Sequence, residues 1–537
     1  MKKVSVYRYC LITSLLSAVI CGNVYALQGS TAEGGSNAQA VHQLGITGEG
    51  VKIGLITAKN VQADHLAFLD PNGQTDVYNH DYTGDGFAYD FHDTPFAGII
   101  KSRGTYNHPN DIGVAPDAEI HCGRVVDNNW TISFSFLQDA LDDLDANLGC
   151  KVIVTGIAFG PNDIPPNGQS QWTLMYDYFA DVCDVIFANA AGNYFSSITV
   201  ITVFGDCYNG ITTGGLEEPN VDNYCRVGNV TNFGPTVDGR RKPDVTAPST
   251  NQVAPGYSGS SNNYWNPGYG DGATSWAVPH TAGVAALLLE YANQTADAND
   301  SHNEVIKAVI VNSTFPNIQN KAGNPTNPAE PNNVWHRERG YGRIDALRAY
   351  QTLSAGRISR DATVTAPAGW AYDTIGSHAT HNYFLAGRKN ERLVLTVTWN
   401  RVINKVDSTY NVDLPRFNLD VTIKNSSGGA IFSETDDVNN LEKIDLLLPA
   451  DGNYTVSLKN TTSKSHDYGL AFEILLPMTG DFNIDYIVDE SDLRQMALDW
   501  LTTEPDTDII ADGMVNWLDF AEFADSWLKI ELKYYNP

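Results

Sequence analysis

Basic residues are scarce in this sequence of 537 residues. Lysine and arginine together number 34, against 63 aspartates and glutamates, which gives a formal net charge of -29 at pH 7. Nucleic acids and anionic membranes would repel such a chain, so the composition argues against both as partners. A solvated acidic surface and the binding of cations are the two interpretations that the charge favours.

Cysteine is also scarce, with 7 residues in the chain. Cys10 and Cys21 bound a short apolar stretch behind a basic start, which is typical of an export signal cleaved near Ala26. Five cysteines follow this segment and allow one or two disulfides in an oxidising compartment, with Cys207 and Cys225 as the first pair to consider. Spacing alone leaves the connectivity open.

Long apolar runs are absent after the N-terminal segment. The apolar stretch 10–21 is too short for a permanent anchor, and no later run reaches the length of a membrane span. The sequence therefore predicts a signal peptide over residues 1–26. The mature protein is expected to be soluble and secreted, periplasmic or displayed at the cell surface.

The chain is too long for one hydrophobic core, and three different sequence patterns follow one another along it. Apolar strand-like runs alternate with helical patterns over residues 38–355, which predicts an α/β domain with a parallel sheet. Short β-rich runs between Gly, Asn, Ser and Asp turns then predict an all-β sandwich over 358–477. Residues 480–530 combine two Asp-rich loops with two helical segments and predict a small helical calcium module.

Three segments of the first domain carry residues suited to acyl transfer. His92 ends a loop before a small-residue helix, and Asn193 follows a buried strand. Ser275 stands just ahead of an apolar helix, where free backbone N–H groups and the helix dipole favour a developing oxyanion. Each residue alone is weak evidence for a catalytic site, because a lone loop histidine is usually structural and a serine before a helix is usually a cap.

The ordered set of motifs resembles the subtilase family of serine proteases. Seven segments stand in family order: 48–56, 92–98, 113–118, 189–193, 232–248, 274–283 and 340–345. The resemblance implies a subtilisin-like fold and a serine endopeptidase. It implies Ser275 as nucleophile, His92 as general base and Asn193 as oxyanion donor, with no cofactor for catalysis.

One member of the family's catalytic set is missing. Where the family ends its first strand with the aspartate that orients the histidine, this chain has Thr57. Loss of that acid costs roughly 10⁴-fold in turnover, so the resemblance with this departure implies impaired activity. A carboxylate from elsewhere could orient His92, and Asp64, Asp90 and Asp93 are the candidates.

The last two domains resemble modules of exported bacterial proteins. The β-rich region is similar to the prepeptidase C-terminal sandwich, and the tail is similar to the type I dockerin, which docks onto cohesin modules. The first loop offers the oxygen spacing that Ca²⁺ needs, and the second loop lacks one ligand because Ile510 occupies a ligand position. The expected ligands are Asp481, Asn483, Asp485, Ile487, Asp489 and Asp492 in the first loop, and Asp508, Asp512, Met514, Asn516 and Asp519 in the second.

Three functions remain open at this stage. The first is a secreted, subtilisin-like serine endopeptidase tethered through its tail. The second is a pseudoprotease that binds peptides without cutting them, and the third is an adhesion or scaffold protein. Ser275, His92 and Asn193 favour the first, whereas Thr57 favours the other two.

Overall fold

The computed structural model describes residues 27–526, apart from 160–163, 194–199, 221–222, 267–271, 328–333, 477–478, 483–487 and 489. The predicted signal peptide, residues 1–26, lies outside the described residues. Within them, no helix combines the length and the apolar character that crossing a membrane requires.

A parallel sheet forms the centre of the first domain. Its strands are rich in Val, Ile, Thr and Ala, and most of their residues are buried, as expected when helices cover both faces. The strands of this domain are β1 (Lys52–Thr57), β2 (Val77–Asp81), β3 (Arg103–Thr105), β4 (His108–Ile112), β5 (Glu119–Arg124), β6 (Val152–Thr155), β7 (Ile186–Ala190), β8 (Ile211–Glu217), β9 (Arg226–Val227), β10 (Val245–Pro248), β11 (Ala254–Pro255) and β12 (Tyr264–Trp265).

The sheet order is β10-β8-β7-β6-β1-β5-β2, and neighbouring strands on this path pair in parallel. Strand β9 adds to β8 in antiparallel fashion. Because parallel strands end at the same edge, loops that follow β1, β6 and β7 meet at one side of the domain. The predicted α/β domain with a parallel sheet is confirmed.

Helices cover the sheet and connect its strands. The α-helices of the first domain are α1 (Leu27–Thr31), α2 (Ala38–His42), α3 (Asp93–Lys101), α4 (Phe134–Asp142), α5 (Gln171–Cys183), α6 (Val278–Gln294), α7 (Asn303–Asn312) and α8 (Ala346–Ser354). Short 3-10 helices span Leu66–Phe68 and Thr274–Trp276, and a π-helical turn, Asp143–Asn147, extends α4. Helix α6 is buried along almost its whole length, as its apolar sequence predicts.

A β-rich region follows, as predicted. Its strands are β13 (Thr363–Val364), β14 (Ala368–Ile375), β15 (Thr380–Gly387), β16 (Arg392–Thr398), β17 (Ile403–Val406), β18 (Thr409–Val412), β19 (Leu419–Lys424), β20 (Ala430–Glu434), β21 (Leu441–Leu447), β22 (Gly452–Asn460) and β23 (His466–Leu475). They form one sheet in the order β13-β15-β22-β19-β20 and another in the order β14-β23-β16-β21, with a separate β17–β18 hairpin. Apolar side chains of both sheets make one core.

Buried polar contacts join this β-rich region to the first domain. Arg348 of α8 pairs with Glu473 of β23 at 2.6 Å between Nη2 and Oε2, and both side chains are almost fully buried. Lys443 of β21 donates to the carbonyl oxygens of Val311 and Asn312 at the end of α7. These contacts make the seam between the two domains a specific, buried interface.

The tail contains α9 (Glu490–Leu498) and α10 (Trp517–Ser526) around a small core of Val488, Met496, Val515 and Phe523. The apolar pattern of the tail predicts helices over 493–501 and 520–528, and both helices begin about three residues earlier. The Asp-rich loops therefore precede the helices as the sequence indicates, whereas a dockerin-like function stays a prediction.

The described cysteines form no disulfide. Cys122, Cys150, Cys183, Cys207 and Cys225 are all free thiols in this structure. Cys207 is fully buried in the core beside α5 and β7, and burial raises the pKa of its thiol well above the ordinary value. The pairing of Cys207 with Cys225 is not formed here.

Candidate active site

Three sequence-predicted residues reach the edge of the sheet from three different elements. His92 is the N-cap residue of α3 and lies immediately before its first residue, Asp93. Asn193 follows β7, and Ser275 lies in the 3-10 helix Thr274–Trp276 directly ahead of α6. The sheet edge where parallel strands end thus collects side chains that are up to 183 positions apart in the sequence.

Both His92 and Asn193 contact the residues that flank Ser275. The ring of His92 packs against the ring of Trp276 with 5.0 Å between centroids. The side chain of Asn193 accepts hydrogen bonds from Thr274, at 2.7 Å from the backbone N–H and 3.0 Å from the hydroxyl. The 3-10 helix therefore holds all three residues together, and Thr274 is a partner that the sequence analysis did not identify.

The contact with Thr274 fixes the orientation of the Asn193 amide. A backbone N–H can only donate, so the Asn193 oxygen must face Thr274 and the Nδ2 group must face the other way. Within the described residues, neither Asn193 Nδ2 nor the backbone N–H of Ser275 makes a hydrogen bond. Both donors are therefore available to an oxyanion, which is the arrangement that stabilises a tetrahedral intermediate.

Asp93 supplies a carboxylate to His92. Asp93 Oδ1 lies 3.0 Å from His92 Nδ1, and its side chain is fully buried while that of His92 is 21% exposed. The other carboxylate oxygen accepts from the backbone N–H of Lys59 at 2.6 Å. Among the three carboxylates that the sequence left open, Asp93 is the one in contact with the imidazole.

The other two candidate acids have different partners. Asp90 Oδ1 accepts from the backbone N–H groups of His92 and Asp93 at 2.9 and 3.2 Å, so it shapes the turn before α3. Asp64 acts electrostatically on His65 and Tyr89. Neither makes a hydrogen bond with the imidazole of His92.

Thr57 is fully buried at the end of β1 and points at the neighbouring strand. Its hydroxyl donates to the Gly123 carbonyl at 3.3 Å and lies 3.2 Å from Cys122 Sγ. It makes no contact with His92 that could orient a charged imidazole. The expectation that Thr57 takes no part in orienting the histidine therefore agrees with this geometry.

The pKa of His92 is raised from its ordinary value. Burial alone would lower it, but the hydrogen bond and the charge of Asp93, together with the charge of Asp90, outweigh burial. Burial also raises the pKa of Asp93, which the His92 hydrogen bond and the Lys59 N–H counteract. The imidazolium form of His92 is thus stabilised by an adjacent carboxylate.

Ser275 is 8% exposed, and its hydroxyl makes no hydrogen bond with His92 in this structure. Catalytic hydrogen bonds are often long or misaligned before a substrate binds, and they tighten in the complex. The arrangement provides a hydroxyl at a helix start, an imidazole with an acidic partner and two oxyanion donors.

Comparisons with known proteins find proteases that are similar to part of this chain. The chain is 26% identical over 322 residues to the membrane-bound transcription factor site-1 protease of Rattus norvegicus, covering 59% of this chain and 26% of that protein. It is 27% identical over 292 residues to pyrolysin of Pyrococcus furiosus, covering 46% and 20%. It is 29% identical over 221 residues to a thermophilic serine proteinase of Bacillus sp. strain AK1, covering 40% and 45%.

The chain spans less than half the length of each of these relatives. A family model, that of the Peptidase S8 subtilase family, matches residues 48–342. This match covers more than half of the 537 residues and contains His92, Asp93, Asn193 and Ser275. The chain therefore belongs to the subtilase family.

Proposed function

We propose that this chain is an exported serine endopeptidase in which Asp93, rather than an acid at position 57, orients the general base. The contact of 3.0 Å between His92 Nδ1 and Asp93 Oδ1 is the observation that carries the proposal. Ser275 is the nucleophile, His92 the general base and Asn193 the oxyanion donor. Export is proposed from the composition of the N-terminal segment.

The proposed reaction is the hydrolysis of a peptide bond through an acyl-enzyme. His92 Nε2 takes the Ser275 hydroxyl proton as Oγ bonds to the carbonyl carbon, and Asn193 Nδ2 with the Ser275 N–H stabilises the oxyanion. The carbon–nitrogen bond then breaks, and the imidazolium gives its proton to the leaving amine. Water then gives a proton to His92 as its oxygen attacks the ester carbon. The bond between that carbon and Ser275 Oγ breaks, the second product leaves as a carboxylic acid, and His92 returns the proton to Oγ.

Cleavage of an unstructured peptide by the full chain tests this function. New peptide termini should appear in a mass spectrum and should disappear after treatment with a serine-directed fluorophosphonate. The exposed Ser463 provides a control, because a Ser463→Ala variant should cut at an unchanged rate. An intact peptide after long incubation would contradict the proposal.

A second candidate function is peptide binding without cleavage. The missing hydrogen bond between Ser275 and His92, together with Thr57 in place of an acid, favours it. A pseudoprotease would bind the peptide in the same assay and leave it intact, with no fluorophosphonate adduct. The raised pKa of His92 and its contact with Asp93 favour the endopeptidase instead.

The pH dependence of cleavage should report the raised pKa of His92. The base acts only when neutral, so kcat/KM should fall as the pH drops through a value above the ordinary 6.5 of histidine. Asp93→Asn removes the hydrogen bond and the charge of Asp93 that raise this pKa, while burial still lowers it and the charge of Asp90 remains. The fall in kcat/KM on the acid side should therefore move to lower pH. A pH profile of both proteins checks this, and a wild-type limb at or below pH 6.5 would contradict it.

We further propose that the tail binds Ca²⁺ through its Asp-rich loops. In the second loop, carboxylate oxygens of Asp508, Asp512 and Asp519 lie within 4.8 Å of one another, which suits a hard cation with oxygen ligands. In the first loop Asp492 Oδ1 accepts from the Phe482 N–H. Asn483, Asp485, Ile487 and Asp489 lie outside the described residues.

Calorimetry on the full chain should find tighter Ca²⁺ binding at the first loop, because its sequence offers one more oxygen ligand. Asp481→Ala should therefore remove the tighter Ca²⁺ binding, and Asp508→Ala the weaker. Unchanged binding in both variants would contradict the assignment of both loops.

A cohesin-like module is the proposed partner of the tail. Exposed apolar side chains on or beside its helices give such a partner a surface to cover: Leu498, Leu501, Ile510, Met514, Trp517 and Leu518. The tail would then tether the protease to a larger assembly.

A further inference from the structure

We propose that Asp184, His302 and Glu304 bind a divalent first-row transition cation, of the Zn²⁺ or Mn²⁺ class, at the seam between the first domain and the β-rich region. Asp184 precedes β7, whereas Asn193 follows it, so this cluster lies at the opposite edge of the sheet from Ser275. The proposed site is therefore separate from the candidate active site and does not depend on its activity.

The three side chains present their ligand atoms to one another. One donor atom from each lies within 4.8 Å of the other two, and His302 Nδ1 is 3.3 Å from Asp184 Oδ2. Asp184 ends α5 in the left-handed backbone region, and His302 and Glu304 lie at the start of α7. Two elements that are far apart in the sequence thus bring an imidazole and two carboxylates together.

Separate groups outside the cluster orient each of the three ligands. Asp184 Oδ1 accepts from the backbone N–H of Asn303 at 2.8 Å and from its side chain at 2.9 Å. Glu304 Oε1 accepts from Asn400 Nδ2 at 2.9 Å. The ring of His302 stacks on the ring of Tyr372, with 4.0 Å between centroids and an angle of 9°.

Outer partners of this kind fix the ligands of metal sites. Two of them, Asn400 and Tyr372, belong to the β-rich region, whereas the three ligands belong to the first domain. A bound cation would therefore strengthen the docking of one domain on the other.

In the described part of the chain, His302 is the basic group that pairs with the carboxylates of the cluster, without help from lysine or arginine. Among the described residues, neither Asp184 nor Glu304 forms an ion pair with lysine or arginine, and Glu304 is only 6% exposed. Asp467, which accepts from the Tyr372 hydroxyl at 3.0 Å, adds a third carboxylate that acts on both Glu304 and His302. A buried carboxylate such as that of Glu304 requires a cation or a proton, and a divalent cation in the cluster would also bind the half-buried Asp184.

The donor set selects the class of cation. Ca²⁺ and Mg²⁺ take oxygen ligands almost exclusively, whereas an imidazole nitrogen beside carboxylates suits Zn²⁺, Mn²⁺ and their neighbours. The Asp-rich loops of the tail offer oxygen alone. A transition cation should therefore bind at the seam in preference to the Asp-rich loops of the tail.

Co²⁺ bound to the full chain tests the proposal, because its visible absorption reports the ligands. We expect one Co²⁺ with the spectrum of nitrogen and oxygen ligands, displaced by Zn²⁺, and a Tm that rises with Zn²⁺. His302→Asn should weaken this binding about 100-fold or more and remove the rise in Tm. His378→Asn, at an exposed histidine of the β-rich region, should change neither.

Three results would overturn the proposal. These are the absence of saturable Co²⁺ binding, the same binding in wild type and His302→Asn, and an intense sulfur charge-transfer band, which would place the ion on the neighbouring Cys183. If His302→Asn does not fold, Asp184→Asn replaces it in the comparison. That variant keeps an oxygen for Asn303 and removes a charged ligand.

Discussion

Replacing Asp93 by asparagine should lower kcat about 10⁴-fold and leave KM nearly unchanged, because Asp93 touches His92 and not the substrate. The Lys59 N–H must keep an acceptor, so the oxygen of the new amide would face Lys59 and its NH₂ group would face His92 Nδ1. That NH₂ group can only donate. The proton of the neutral imidazole would then lie on Nε2, where it blocks transfer from Ser275.

Steady-state kinetics on an unstructured peptide measures this effect. Asp64→Asn is the matched control, since it removes a nearby exposed carboxylate that does not contact His92, and it should change kcat little. Circular dichroism should show that both variants remain folded. A loss of less than tenfold in Asp93→Asn would mean that another group orients the imidazole.

Removing the Asn193 side chain should cost about 10²–10³-fold in kcat, a magnitude that is known for the side-chain oxyanion donor of subtilisin itself. The fixed contact of its oxygen with Thr274 leaves Nδ2 as the group that the reaction uses. Asn193→Asp should be at least as harmful as Asn193→Ala, because it keeps the contact with Thr274 and replaces the donor with a charged acceptor. The loss should appear in kcat more than in KM.

The same peptide assay checks both Asn193 variants. Thr274→Ser is a suitable control because it keeps the hydroxyl and the N–H that hold Asn193. If Asn193→Ala and Asn193→Asp cut as fast as the wild type, the oxyanion is stabilised elsewhere and the assignment of Asn193 is wrong.

The sequence predicts much of the fold because its signals are local. The apolar run 51–56 appears as β1, Lys52–Thr57, and the run 185–190 as β7, Ile186–Ala190. Turn residues on both sides of such an apolar run mark where the buried strand begins and ends. Helix α6 begins at Val278, shortly after Ser275 as the sequence indicates, because Pro279 is accepted in the first turn of a helix.

The identity of the orienting acid is harder to predict. The family resemblance places this acid at the end of the first strand, where this chain has Thr57, and it leaves Asp93 as one of three candidates. Asp93 reaches the ring of its neighbour because the turn held by Asp90 sets the backbone before α3. Such a contact depends on a few backbone angles, which spacing in the sequence does not determine.

The sequence patterns also do not predict the interface between the two large domains. Arg348 and Glu473 are separated by 125 positions, and nothing in the pattern around either residue indicates a partner. Asp184 lies in one stretch of the chain, and His302 and Glu304 lie in another, and neither stretch carries a signal of metal binding. Long-range polar pairing of this kind follows from the docking of folded domains, which local patterns do not encode.

Fluorophosphonate labelling of Ser275 tests the central claim most directly, because it measures activation of the nucleophile without any choice of substrate. The labelling rate of the wild type is compared with that of Asp93→Asn, with Ser275→Ala as the control for selectivity. We predict an adduct on Ser275 in the wild type, about 10⁴-fold slower labelling in Asp93→Asn and none in Ser275→Ala. An unlabelled wild type, or equal rates in the wild type and Asp93→Asn, would contradict the assignment of Asp93 as the residue that orients His92.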